Sequence, residues 1–233
     1  MFTGIVQGTA TVASVDRPAP GVAALVLRFP PGALAGVPIG GSVAVDGTCL
    51  TVVSVDGDAA RFDVVDETLR VTTLGRLGQG SRCNFERSAR VGDEIGGHLV
   101  SGHVAATAAV VGVTRQDDGN VALTFRVPGP WGRYVLPKGF VAVHGVSLTV
   151  GSVARSPSDP GAADFTVHLI PETLRVTVLG GLAEGDAVNV EVDAGTQAVV
   201  AAVDAALEER LGGMIEGAVE AAVRRAVAAG GKV

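Results

Sequence analysis

A repeat constrains this fold more than any other feature. The stretch Gly41-Ser-Val-Ala-Val-Asp-Gly-Thr-Cys-Leu-Thr-Val52 returns as Gly139-Phe-Val-Ala-Val-His-Gly-Val-Ser-Leu-Thr-Val150. In both copies an alternating run enters a glycine turn and a second alternating run leaves it, the pattern of two tightly joined strands. Beyond each turn stands a nucleophile-capable side chain, Cys49 or Ser147, with Thr51 or Thr149 two positions on. A strand's period of two puts each such pair on one face. The match extends outward at constant spacing. Gly4-Ile5-Val6 and Gly102-His103-Val104 are 98 positions apart, as are Cys49 and Ser147. Glu67-Thr-Leu-Arg-Val-Thr72 recurs 105 positions later as Glu172-Thr-Leu-Arg-Val-Thr177, and Asn84 and Glu86 recur as Asn189 and Glu191. The seven extra residues fall in the breaker-rich run 155–161, which reads as a lengthened turn. One domain has been written twice.

Composition fits that reading. A chain of 233 residues, 47% hydrophobic and 18% charged, has room for two cores of about 100 residues each, an ordinary size for a small β-domain. A net charge of −6, without a basic block, argues against nucleic acid as partner, and 4% aromatics leave no base-stacking platform. The apolar runs are too short and interrupted to span a bilayer, and the N-terminus reads as no signal peptide. Two cysteines, Cys49 and Cys83, are too few for a disulfide framework, so a reducing, cytoplasmic setting is expected.

Along the chain, strands are expected at 2–15, 22–29, 42–46, 49–55, 60–66 and 82–87, with a hairpin turn at Asp56-Gly57 and a short helical turn near 33–35. The second half repeats the set at about 104–113, 120–127, 140–144, 147–153, 164–169 and 187–192. Short, evenly spaced strands with no helical period between them predict an all-β protein, two small closed barrels in tandem. Closure hides the strand edges. After Asp193 the period changes: Thr196 is placed to cap a helix carrying Val199, Val200, Val203, Ala206, Leu207 and Leu211 on one stripe. Gly212-Gly213 is expected to end it, with a further Ala/Val-rich helix over 214–232. A lone amphipathic helix beyond two finished barrels is a candidate assembly element.

The chemistry-bearing residues are ambiguous taken singly. His98 and His103 lie five apart in Gly96-Gly-His-Leu-Val-Ser-Gly-His-Val104, and with Asp93 and Glu94 they form no familiar metal spacing, so no metal is expected. They suit proton transfer near neutral pH, but spacing alone favours the plainer reading, that they hydrogen-bond backbone in a tight linker. Cys49 and Ser147 have no acid–base partner nearby in sequence, and Gly-x-Ser-x-Gly is absent. His144 and His168 read as satisfying local backbone, and Asp193 as a helix cap. Neither Gly-x-Gly-x-x-Gly nor a phosphate-binding loop occurs. What remains is a pair of equivalent pockets lined by Thr51 and Thr149, Thr68 and Thr173, and Cys49 and Ser147. Such hydroxyl-rich pockets suit a polyol or an uncharged heterocycle, and two like sites face to face would hold two like molecules.

Met1-Phe-Thr-Gly-Ile-Val6, Cys49-Leu-Thr-Val52, Gly96 to His103, Lys138-Gly139, Val146-Ser-Leu-Thr149 and Leu169-Ile-Pro-Glu-Thr-Leu174 together resemble the riboflavin synthase family of the α-subunit type, over residues 1 to about 207. The resemblance implies two six-stranded Greek-key barrels, residues 1–97 and 98–193, and a C-terminal helix within 194–233 that ties three chains into a homotrimer. It implies a transferase that dismutates two molecules of 6,7-dimethyl-8-ribityllumazine to riboflavin and 5-amino-6-ribitylaminouracil, with no metal and no redox cofactor. The site it implies lies between the N-terminal barrel of one chain and the C-terminal barrel of its neighbour. For the first pocket it carries over Gly4, Ile5, Val6, Cys49, Leu50, Thr51, Asp63, Glu67, Thr68, Gly102, His103 and Val104. For the second it carries over Val146, Ser147, Leu148, Thr149, Leu169, Ile170, Pro171, Glu172 and Thr173, with Lys138 reaching across. His103 with Thr149 would take the methyl proton, assisted by Ser147, Cys49 and Asp193, and His98 is counted among the catalytic residues. The resemblance leaves open an association with lumazine synthase. His144 departs from the usual Asp-Gly turn, and the residues from 214 exceed the family's length. A non-catalytic lumazine- or flavin-binding antenna of the same fold is the alternative. Such relatives tend to lose polar residues in one pocket, and here both pockets keep theirs.

Overall fold

The computed structural model describes residues 1–117 and 119–230. The first barrel is built from β1 (Gly8–Ala19), β2 (Val22–Arg28), β3 (Ser42–Val45), β4 (Thr48–Asp56), β5 (Ala59–Val65) and β6 (Arg82–Arg87). They close in the order β1-β2-β5-β4-β3-β6, every neighbouring pair antiparallel. The second barrel repeats this Greek-key order with β7 (Ala106–Arg115), β8 (Val121–Val127), β9 (Phe140–Val143), β10 (Val146–Arg155), β11 (Ala163–Leu169) and β12 (Ala187–Val192). The alternation that predicted strands is the alternation that fills the cores. On β8, Val121, Leu123, Phe125 and Val127 are buried while Ala122, Thr124 and Arg126 face outward. Phe29, Phe62 and Phe85 anchor the first core, and Phe125 and Phe165 the second. The seven-residue insertion is the loop 156–162 between β10 and β11, where the first barrel has the tight turn after Asp56.

Three expectations for the barrels need correction. β1 begins at Gly8, because residues 2–6 leave their own barrel for the contacts described below. The segment 33–35 forms successive reverse turns, with Ala33, Ala35 and Val37 donating to Pro30, Gly32 and Leu34 at 3.0–3.1 Å. The Glu-Thr-Leu-Arg-Val-Thr repeat, taken as part of a strand-only pattern, forms one-and-a-half turns of helix, α1 (Asp66–Val71) and α2 (Pro171–Val176). Six residues are too few for a 3.6 period to be legible. A threonine latches each end: Thr72 Oγ1 donates to Thr68 O at 2.6 Å and accepts from Leu74 N, and Thr177 does the same with Thr173 O and Leu179 N.

The C-terminal helix α3 runs unbroken from Ala194 to Gly230. Gly212-Gly213 therefore does not end it. Two glycines cost a helix roughly 1 kcal/mol each relative to alanine, and the Ala, Leu, Glu and Arg around them are good helix formers. The end of the expected second helix, 231–232, lies outside the described residues. Along α3, Val199, Val203, Leu207, Leu211, Met214, Ile215 and Val219 are exposed at helical spacing. Among the described residues no helix is long and apolar enough to cross a membrane.

The barrels meet around a pseudo-twofold axis. Phe2 and Val100 exchange backbone hydrogen bonds across it, at 2.7 and 3.0 Å. The two repeated turns touch tip to tip. Asp46-Gly47 and His144-Gly145 all have positive φ (44°, 77°, 46° and 78°), the two-residue hairpin that matches strand twist. A Cβ on Gly47 would lie 2.6 Å from Gly145 N, so glycine is required there by contact as well as by conformation. Two asparagines, each 1% exposed, complete the junction reciprocally. Asn84 Nδ2 donates to His144 O at 3.0 Å and its Oδ1 accepts from Val178 N at 2.8 Å. Asn189 Nδ2 donates to Asp46 O at 2.8 Å and its Oδ1 accepts from Thr73 N at 2.7 Å.

Removing either asparagine strands one buried donor and one buried acceptor of the opposite barrel. Asn84→Ala and Asn189→Ala should each cost about 3 kcal/mol and to a similar extent, as the pseudo-symmetry requires. The check is the urea midpoint of each variant; a loss below 1 kcal/mol in either would refute the reciprocal role.

Candidate functional site

Two buried glutamates set the site. Glu86 on β6 receives Thr3 N and Thr3 Oγ1 on Oε1, at 2.6 and 2.7 Å, and Gly4 N on Oε2 at 3.0 Å. Glu191 on β12 receives Ser101 N and Ser101 Oγ on Oε1, at 2.7 and 2.8 Å, and Gly102 N on Oε2 at 3.0 Å. Burial pushes the Glu86 carboxyl up from its ordinary pKa, and the three donors pull the other way. Each clamp presents a glycine to the opposite barrel. Gly4, at φ +73°, has its O bonded by Ser147 N at 2.8 Å, and a Cβ on it would lie 2.5 Å from Ser147 Cβ. Gly102, at φ +84°, has its O bonded by Cys49 N at 2.9 Å, and a Cβ would lie 2.5 Å from Cys49 Cβ.

Gly4 sits at Ser147, not at Cys49, and Val6 packs into the second barrel's core. Gly102 sits at Cys49.

His98 differs most from its reading as a backbone-bonding linker residue. Its Nδ1 lies 2.6 Å from Ser147 Oγ, and its ring stacks on Phe140, centroids 5.0 Å apart and planes 16° apart. The side chain is 7% exposed, and Nε2 is buried without a hydrogen-bond partner among the described residues. Burial lowers the His98 pKa below its ordinary 6.5, while the charges of Asp193 and Glu191 oppose that shift. Ser147 therefore has the acid–base neighbour that its sequence neighbourhood lacks. Among the described residues no hydrogen bond joins the Cys49 thiol to a histidine.

The other expected residues sort by where their side chains go. Thr51 and Thr149 are exposed, on the same strand faces as half-buried Cys49 and Ser147, as the period of two requires. His103, Ile5, Ile170, Pro171 and Lys138 are exposed, and Thr68, Thr173 and Val104 half-buried. Leu50, Val146, Leu148 and Leu169 point into the barrel cores, so only their backbones are available to a ligand. Glu67 and Glu172 are exposed and tied to Arg70 and Arg175 one turn on, and Asp63 is tied to Arg61. His144 keeps its local role, Nδ1 accepting from Asn189 N at 3.4 Å, though in a turn rather than a strand. Asp193, between β12 and α3, reaches His98 through its charge. No group of three metal-ligating side chains is assembled among the described residues.

Two contributors were missed by reading the sequence. The glutamate clamps were visible as a repeat, but repetition gave them no role. Phe140 breaks the repeat, since the first copy has Ser42 there, and that break was the available signal. The surface so built offers hydroxyl, thiol and imidazole groups around two related strands, suited to an uncharged polyol-bearing heterocycle.

The family model described as the lumazine binding domain matches residues 3–88 and again 101–193. Riboflavin synthase of Escherichia coli (strain K12) is 46% identical over 201 residues, 86% of this chain and 90% of that protein. Riboflavin synthase of Chlamydia pneumoniae is 40% identical over 200 residues, covering 86% and 94%. Among solved structures, LumP complexed with 6,7-dimethyl-8-(1′-D-ribityl)lumazine superposes with a TM-score of 0.72 at 25% identity, covering 83% of this chain and 99% of that one. LumP complexed with riboflavin superposes with a TM-score of 0.71 at 27% identity.

A histidine whose folded pKa is depressed leaves the unfolded state to take up the proton first. Its contribution to stability is full above pH 6.5 and is lost as pH falls from there toward the folded value. Buried Asp46 and Glu86, both raised by burial, act with the opposite sign, their contribution being lost as pH rises through the carboxylate range. The diagnostic is therefore the difference between wild type and His98→Gln. Urea midpoints from pH 7.5 to 5 should converge as pH falls; parallel curves would show that His98 is not held neutral.

Proposed function

We propose how this chain, which belongs to the riboflavin synthase family, assembles a site for two identical molecules. It is an enzyme, a transferase that converts two 6,7-dimethyl-8-ribityllumazines to riboflavin and 5-amino-6-ribitylaminouracil. One molecule gives a four-carbon unit to the other. The observation that carries our reading is the pair of related but unequal surfaces, Cys49 backed by Gly102 and Ser147 backed by Gly4 and bonded to His98. Each is a seat for one lumazine, and Cys49, Thr51, Ser147 and Thr149 lie on open strand faces rather than in the cleft between the barrels. A second chain must close them. The reading is that the first barrel of one chain faces the second barrel of its neighbour in a homotrimer, held by the apolar stripe of α3, in the cytoplasm.

The substrate's C7 methyl is acidic because its carbanion delocalises into the pteridine, so orientation does most of the catalysis. Holding the two rings together can lower the barrier by roughly 7–11 kcal/mol. In the proposed sequence His103, with Thr149 from the neighbouring chain, takes the methyl proton. The carbanion adds at C7 of the second molecule. The His98–Ser147 pair, Cys49 and Asp193 stabilise the adduct as protons are returned. Neutral His98 accepts a hydrogen bond from Ser147 or donates one to its oxygen, depending on its tautomer, without placing a fixed charge beside the uncharged ring.

The LumP complexes support a second reading, a non-catalytic lumazine or flavin carrier. Both seats here keep polar side chains, which favours turnover. The chain incubated with the lumazine alone should produce riboflavin absorbance, while tight binding without turnover would establish the carrier. His103→Ala and Thr149→Ala should each lower kcat by roughly a hundredfold. Because the site is shared between chains, mixing and reassembling these two dead variants should restore about one quarter of wild-type activity per site, the fraction with both good halves. Activity no higher than that of the separate variants would rule out a shared site.

A further inference from the structure

A cleft of about 670 Å³ opens at the junction of the two barrels, and neither Cys49 nor Ser147 lines it. Four guanidiniums line it against two carboxylates, in a chain of net charge −6. Arg76 follows α1, Arg82 opens β6, Arg115 closes β7 and Arg175 lies on α2, so both barrels contribute. Two of the four are already engaged, Arg175 by Glu172 at 2.6 Å and Arg82 by Thr9 Oγ1 at 2.7 Å. Among the described residues no hydrogen bond or ion pair engages Arg76 or Arg115. The carboxylates are occupied: Asp46 accepts from Asn84 N and Asp186 from Ala183 N, both at 2.8 Å. Thr73 supplies a second, independent sign. It is 5% exposed, lies in the cleft wall, and its Oγ1 is buried with no hydrogen-bond partner among the described residues. A buried hydroxyl without a partner costs free energy that a ligand can return.

We infer that this cleft binds the phosphate monoester of an organic molecule. Paired guanidiniums match a phosphate in geometry as well as charge, which uncharged ribityllumazine does not require. The volume is in the range of organic-ligand pockets, and inorganic phosphate alone would leave most of it empty. Arg76 and Arg115 hold the phosphate from opposite barrels, and Thr73 donates its hydroxyl at the wall. A ligand bridging both barrels stabilises their junction, so binding is readable as a rise in thermal midpoint.

The test titrates the full chain with adenosine monophosphate and, separately, with inorganic phosphate, each against sodium chloride at matched ionic strength. Adenosine monophosphate should raise the midpoint saturably and bind more tightly than phosphate. Arg76→Gln with Arg115→Gln should weaken that binding about tenfold or more. Arg115→Gln alone and Thr73→Val should weaken it severalfold, with riboflavin formation unchanged in every variant. Equal affinity for the two anions overturns the organic ester. An equal rise in wild type and double variant, or no rise at all, overturns the site.

Discussion

The reciprocal exchange of Asn84 and Asn189 across the pseudo-twofold axis is the constraint on which the rest of this molecule depends. Each side chain bonds the backbone of the other barrel's hairpin tip and of the other barrel's turn after its short helix. Neither asparagine can satisfy its amide within its own barrel while it makes these bonds. At 1% exposure an unmatched amide would lose water without replacement. The two barrels are therefore fixed in one orientation rather than merely tethered. With the tips fixed, the strands leaving them carry Cys49 and Ser147 to defined positions. Two strands over, on β6 and β12, Glu86 and Glu191 pull residues 3–4 and 101–102 across to cover them.

The scaffold is symmetric and the chemistry is not. Glutamates, asparagines, threonine latches and positive-φ glycines match pairwise between the copies to within a few tenths of an ångström. Side chains near the reactive groups have diverged, Cys49 against Ser147 and Ser42 against Phe140, and within the buried junction so has Asp46 against His144. A dismutation asks for this combination. Two identical molecules must be held alike, because they are the same compound, yet one must lose a proton and the other accept a carbon nucleophile. Identical seats would not distinguish them. The stacked His98 on Phe140, bonded to Ser147, marks one proposed seat as different from the other without disturbing the backbone that both share.

Much of this was legible in the sequence, and the reason is instructive. Strand positions followed from alternation where a strand is buried on one face only, as on β8, where the side-chain period survives in Val121, Leu123 and Phe125; β3, β6, β9 and β12, buried on both faces, show it far less. The repeat was legible because the junction tolerates little change at Asn84, Glu86 and their counterparts. What stayed hidden was set by contacts between distant segments. Nothing within ten residues of His98 names Ser147 or Phe140, and nothing near Gly4 says that it belongs with the second barrel. The six-residue helices were hidden for a different reason, since one and a half turns show no period. The glycine pair in α3 misled because a local helix cost was weighed without the propensity of the long segment around it.

The crossing of residues 3–4 and 101–102 has a consequence for how such a protein works. Each reactive strand is backed from behind by a glycine held on the other barrel's glutamate, so neither barrel completes its own seat. In front, the same strands are open, with Thr51 and Thr149 in solvent. A seat rigid behind and open before is suited to being closed by a second macromolecular face rather than by a loop of its own. Since the reaction needs little beyond two rings held in register, the face that closes the seat can also deliver the other reactant. On the proposed shared site, assembly becomes a catalytic step in its own right: the proximity that replaces strong acid–base chemistry would come from the contact between chains, and it would be only as precise as the asparagine junction that aims each barrel outward.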